Sequence, residues 1–221
     1  MKLFIRALIK YVFGIAIVAA LLFVPAGTIN FINAWVFMGL LFVPMLFVAI
    51  VLAIKSPKLL EKRLNLNERE KTQKVVVLLS VIIFIAALVI AGLDFKNGWT
   101  NFNDKVLLTA SIGMIVGYGL YVEVMRENKY LSRNVEVQED QVVIDKGLYG
   151  IIRHPMYLAT IILYLSIPLV LGSFYSFLIF LLFPAVLIKR IINEEKVLEE
   201  GLKGYKEYKE KVKYRLIPFI W

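Results

Sequence analysis

Val75 to Leu93 reads VVVLLSVIIFIAALVIAGL, nineteen residues with no charge and only Ser80 polar. A helix needs about 20 such residues to cross a bilayer. Tyr11–Ile29, Phe31–Ile54 and Val106–Val124 are of the same kind. Met156–Ile188 has 33 residues, too long for one crossing and short for two, and reads as a hairpin of two short helices turning at Pro168 and Gly172-Ser173. The predicted fold is an all-α integral membrane protein of about six transmembrane helices with a cytoplasmic C-terminal amphipathic helix. The N-terminal stretch is not expected to be a cleaved signal, because no polar domain follows it.

Composition agrees. Of 221 residues, 60% are hydrophobic and 19% charged, against roughly 45–50% and about 25% in soluble domains. Disorder requires the opposite balance. The chain has no cysteine and one histidine, His154, which excludes disulfides, thiolate nucleophiles and multi-histidine metal sites; no metal is expected.

Charge placement gives an orientation. With the N-terminus inside, 24 basic residues fall on cytoplasmic segments and two, Lys96 and Lys105, outside, as the positive-inside rule requires. Both termini are then cytoplasmic. The net charge of +9 reports this orientation, and no soluble basic face suggests nucleic acid. Within the apolar stretches Glu123 is the only ionisable residue. Ion-coupled transport, which needs charge at the midplane, is therefore not expected.

Polar chemistry must then lie in the cytoplasmic segments. Residues 126–153 contain Val135–Gln138, Glu139-Asp140 and Gln141–Ile144, suited to a small β-hairpin, and end in Arg153-His154-Pro155. That tripeptide suits a helix start with proline at its first position, and equally an anion or cofactor site formed with nearby N–H groups. Tyr149 and Tyr157 flank it. Beyond the last apolar stretch, Leu198, Leu202, Tyr205, Tyr208 and Val212 recur on one face, predicting a long amphipathic helix over 193–214. Arg190 and Glu194 suit an i,i+4 pair. Glu194, Glu195, Glu199 and Glu200 crowd four carboxylates into seven residues, a cluster that makes sense if some face a cation.

These segments resemble the isoprenylcysteine carboxyl methyltransferase family and the related phospholipid N-methyltransferases. The resemblance rests on Gly147-x-Tyr149-x-x-x-Arg153-His154-Pro155-x-Tyr157, on Arg190-x-x-x-Glu194-Glu195-x-x-Leu198, on Gly204 and Tyr208, and on Ile217-Pro218. The connector Ser132–Gln138 looks like that of the bacterial branch. Leu148 stands where the family often has proline, and Ala159 where glycine is frequent.

The resemblance implies a membrane methyltransferase using S-adenosylmethionine. Cofactor contacts would come from Val143, Gly147, Leu148, Tyr149, Arg153, His154, Tyr157, Glu194 and Glu195, with Arg190 and Glu194 as the catalytic pair. Residues 1–105 form a motif-free half and 106–221 the methyltransferase core, with a cofactor loop at 126–157 and a C-terminal helix at 190–214. The implied acceptor is a carboxylate on an isoprenylcysteine-like lipid arriving from the bilayer. Phosphatidylethanolamine N-methylation, S-methylation of a small thiol and a non-catalytic membrane scaffold are the competing readings. The lysine- and isoleucine-rich composition points to a prokaryotic plasma membrane.

Overall fold

The computed structural model describes residues 2–64, 71–132 and 134–221; Arg133 of the connector and residues 65–70 of the second cytoplasmic segment lie outside them. Among the described residues the regular structure is all helical, with no strand. The order is α1 (Lys2–Ala26), α2 (Ile32–Lys55), α3 (Pro57–Leu64), α4 (Lys71–Asn97), α5 (Asp104–Glu127), a 3-10 turn (Gly147–Gly150), α6 (Pro155–Val170), α7 (Phe174–Phe180), α8 (Phe183–Gly201) and α9 (Tyr205–Lys211).

Five segments are long and apolar enough to cross a membrane: Leu3–Ala26, Ile32–Lys55, Thr72–Asn97, Asp104–Glu127 and Phe174–Gly201. Pro155–Val170 is apolar but shorter. Many large apolar side chains on these helices point outward, Val24 at 76% and Phe47 at 69% exposure among them. Burial of oily side chains against lipid gives helices little reason to associate, so close packing must do so. It does: α5 packs most extensively on α6, where a Cβ on Gly117 would lie 2.7 Å from Leu163 and one on Gly113 2.6 Å from Ser166 Oγ. Ala159, in the position often held by glycine, is fully buried on the same helix.

The last apolar run does reverse at Gly172-Ser173, where Ser173 caps α7 through the Ser176 N–H. Its returning arm is longer than a short hairpin allows. After a break at Leu181-Leu182 it continues through α8 to Gly201. The amphipathic helix expected over 193–214 is therefore two pieces. Its first half is the end of α8, and the chain then turns through Leu202–Gly204, with Gly204 left-handed at φ +85°, before α9. A left-handed residue cannot continue an α-helix, and glycine adopts that conformation without steric cost. The apolar face survives the break: Leu202, Tyr205, Tyr208 and Val212 are buried together against Leu198, Val137 and Val143.

Two further expectations change. Residues 135–144 form a turn at Glu139-Asp140 without β pairing; Gln141 N–H bonds Gln138 O at 3.1 Å, and the flanks pack onto α9 instead. Helix α4 also extends past Leu93 and encloses a second acid, Asp94, at 2% exposure. Asp94 accepts from Thr100 N at 2.8 Å and Oγ1 at 2.7 Å, and from Ser173 Oγ. It ties two turns together at the end of the bundle away from the polar loops, so its charge is spent on structure.

Candidate functional site

The polar loops, the start of α6 and the second half of α8 enclose one cleft of about 830 Å³, mouth included. Proline at the first position starts α6, which fixes Tyr157 one turn inside. Helical spacing on α8 sets Arg190 and Glu194 on the facing wall. The Tyr157 hydroxyl joins them: it accepts from Arg190 Nε at 2.9 Å and donates to the Glu194 carboxylate. The Arg190 guanidinium also lies 5.9 Å from the Tyr157 ring centre. From α4, Gln73 Nε2 donates to Arg190 O at 3.2 Å and to Asn193 Oδ1 at 2.6 Å, holding this turn of α8 in place.

Behind the wall is a buried ionic knot. Glu195, 2% exposed, accepts from Arg153 Nε at 2.7 Å and Arg215 Nε at 2.9 Å, and contacts His154 Nε2 at 3.2 Å. Arg153 also donates to Val212 O and Lys213 O, and its N–H bonds Tyr214 O while that of His154 bonds Arg215 O. The first motif thus clamps the segment after α9. A buried charge is tolerated only when paired and hydrogen-bonded, and every charge here has partners.

Tyr149 forms the opposite wall and is held from three sides. Asn128 Nδ2 donates to its hydroxyl at 3.0 Å and the Tyr208 hydroxyl to its carbonyl at 2.8 Å. One residue before it, the Leu148 N–H donates to both Glu127 oxygens, at 3.1 and 3.0 Å. Gly147 is left-handed at φ +59°, and a Cβ there would lie 1.8 Å from Glu127 Oε1. Burial pushes the phenols of Tyr149, Tyr205 and Tyr208 well above their ordinary titration range, so they remain protonated donors.

Of the residues expected from sequence, Val143, Tyr149, Arg153, His154, Tyr157, Arg190 and Glu194 line the cleft. Gly147, Leu148 and Glu195 do not line it; they hold the residues that do. Sequence reading missed Asn128, Ser132, Asn134, Tyr205 and Tyr208 as lining residues. Tyr205 and Tyr208 could have been flagged, since two hydroxyls on an otherwise apolar face next to clustered glutamates need partners. Asn128 carried no signal beyond ending a helix. Among the described residues no group of three or more acidic or histidine side chains could hold a metal ion.

The lining combines the tyrosines Tyr130, Tyr149, Tyr157, Tyr205 and Tyr208 with aliphatic side chains and the Glu194 carboxylate. The Tyr205 hydroxyl is buried with no hydrogen-bond partner, as are Gln73 Oε1 and Ser176 Oγ, neither of which lines the cleft.

The resemblance read from the two motifs is shown by comparison: residues 106–200 match the model of the Isoprenylcysteine carboxyl methyltransferase (ICMT) family. The chain is also similar to a Delta(14)-sterol reductase of Mus musculus, 33% identical over 78 residues, covering 34% of this chain and 19% of that protein. The chain therefore spans about a fifth of the length of the curated relative it matches.

Proposed function

We propose that this chain, residues 106–200 of which match the isoprenylcysteine carboxyl methyltransferase family, is an integral membrane methyltransferase using S-adenosylmethionine. Its acceptor is the carboxylate of an isoprenylcysteine-like lipid. The observation that carries the reading is the meeting of Arg190, Tyr157 and Glu194 on one wall of a cleft that four further tyrosines also line. Residues 106–221 supply all three and act as the methyltransferase core.

When bound, S-adenosylmethionine supplies a methyl group activated on a sulfonium. Tyr149, Tyr157 and Val143 would hold it, with His154 and Arg153 behind them and Glu194 near its cationic portion. Tyrosine faces contribute cation–π attraction of about 0.5–2 kcal/mol each. Arg190 orients the acceptor, because a guanidinium matches a carboxylate as a planar fork where lysine does not. Such an acceptor arrives already deprotonated, so no side chain must remove a proton, and His154 is not needed as a base. The chain's main contribution is alignment and exclusion of water, worth roughly 7–11 kcal/mol in well-oriented pairs. The apolar flanks of α6 and α8 give a lipid tail a path to the cleft from the bilayer, and the loops give the donor a path from the cytoplasm of a prokaryotic cell.

The test is to incubate the purified full chain with methyl-labelled S-adenosylmethionine and membrane extract, followed by mass spectrometry of lipids and small acids. Label in a base-labile lipid ester supports the proposal. Label on an amine or thiol replaces the acceptor class with that of the competing methyltransferases, and absence of label rejects the activity.

A further inference from the structure

Tyr205 opens α9 and faces the cleft, with the residue 4% exposed. Its hydroxyl has no hydrogen-bond partner, whereas that of Tyr208, one turn on, donates to Tyr149 O at 2.8 Å. The two side chains are otherwise alike. Both are buried, in the same apolar cluster, with ring centres 5.7 Å apart. A buried hydroxyl left without a partner lowers stability relative to phenylalanine at the same place. The phenol stays protonated because burial opposes its ionisation, which leaves its O–H free to donate to an acceptor.

We infer that the Tyr205 hydroxyl is a ligand-binding donor, reserved for a polar acceptor on the nucleoside-type methyl donor, and that Tyr208 is its structural counterpart. The inference rests on the proposed methyl donor. It divides the paired tyrosines of α9 into one that holds the ligand and one that holds the wall. The donor must be recognised partly by α9, a segment outside the residues that match the family.

The test compares Tyr205→Phe with Tyr208→Phe in the detergent-solubilised full chain, using S-adenosylhomocysteine as the probe. Loss of one buried hydrogen bond to a ligand weakens binding by about fivefold. The inference expects that loss by calorimetry for Tyr205→Phe, with the unliganded thermal midpoint unchanged or raised. For Tyr208→Phe it expects a lowered midpoint. Wild-type affinity in Tyr205→Phe overturns the inference while leaving the methyl donor in place. A lowered unliganded midpoint in Tyr205→Phe also overturns it, since the hydroxyl would then be serving the fold. No binding by the wild-type chain removes the methyl donor itself, and the inference with it.

Discussion

The Tyr157 hydroxyl accepts the Nε–H of Arg190 at 2.9 Å and in turn donates to Glu194. Tyr157, two residues beyond Arg153-His154-Pro155, thus fixes two polar residues of α8 through one oxygen, alongside the contacts of Arg153 and His154 with Glu195. Removing that oxygen takes one anchor from each. Tyr157→Phe is expected to lower turnover by about ten- to a hundredfold, the scale of a misplacement of roughly an ångström. The midpoint of thermal unfolding should fall by several degrees, since two hydrogen bonds to charged groups are lost, each worth about 1.5–3 kcal/mol. Steady-state methyl transfer and a melting curve on the same preparation check both halves.

Arg190→Lys and Glu194→Gln keep size and much of the polarity yet lose the fork and the charge respectively. Both are expected to fold and to lose turnover on the order of a hundredfold. Normal turnover of both in detergent removes them from the mechanism.

Glu195, adjacent to Glu194, should behave differently. It faces the buried knot with Arg153, His154 and Arg215. Glu195→Ala leaves Arg153 buried without its carboxylate, a change that costs about 3–5 kcal/mol. The expected outcome is a steep loss of folded protein, read as monodisperse yield after detergent extraction. What remains folded should turn over far better than Glu194→Gln.

His154 contributes to both knot and cleft. His154→Ala is expected to abolish calorimetric binding of S-adenosylmethionine; equal binding by the variant takes the imidazole out of the cofactor site.

The helices and both polar motifs were legible because each depends on local pattern: apolar length for the spans, fixed spacing for Gly147–Tyr157 and Arg190–Leu198. The single long amphipathic helix was not. Leu198, Leu202, Tyr205, Tyr208 and Val212 keep helical spacing even though the backbone breaks at Gly204, so the pattern alone cannot reveal the break. The expected hairpin over 135–144 failed for a related reason. The apolar residues there serve burial without a partner strand: Val137 and Val143 pack with α9 and Ile144 packs with α5, while Val142 stays exposed. The roles of Glu127 and Glu195 depend on residues 21 and 41 or 42 positions away, a tertiary fact with no local trace.

Gly147 illustrates such a tertiary demand. Gly147→Ala must displace Glu127 from the Leu148 N–H and also accommodate a positive φ, together costing more than about 1 kcal/mol. Tyr149 then loses one of its supports. Weaker S-adenosylhomocysteine binding is expected, with a smaller defect in Gly150→Ala, whose Cβ would meet only Asp145 O at 3.2 Å.

The central claim is that one cleft, built from the first motif and α8, receives the methyl donor. Ultraviolet crosslinking of methyl-labelled S-adenosylmethionine to the reconstituted full chain, followed by peptide mapping, tests it most directly. The account predicts label on peptides from 126–157 and 190–208, competed away by S-adenosylhomocysteine. Competable label confined to residues 1–105 would contradict it.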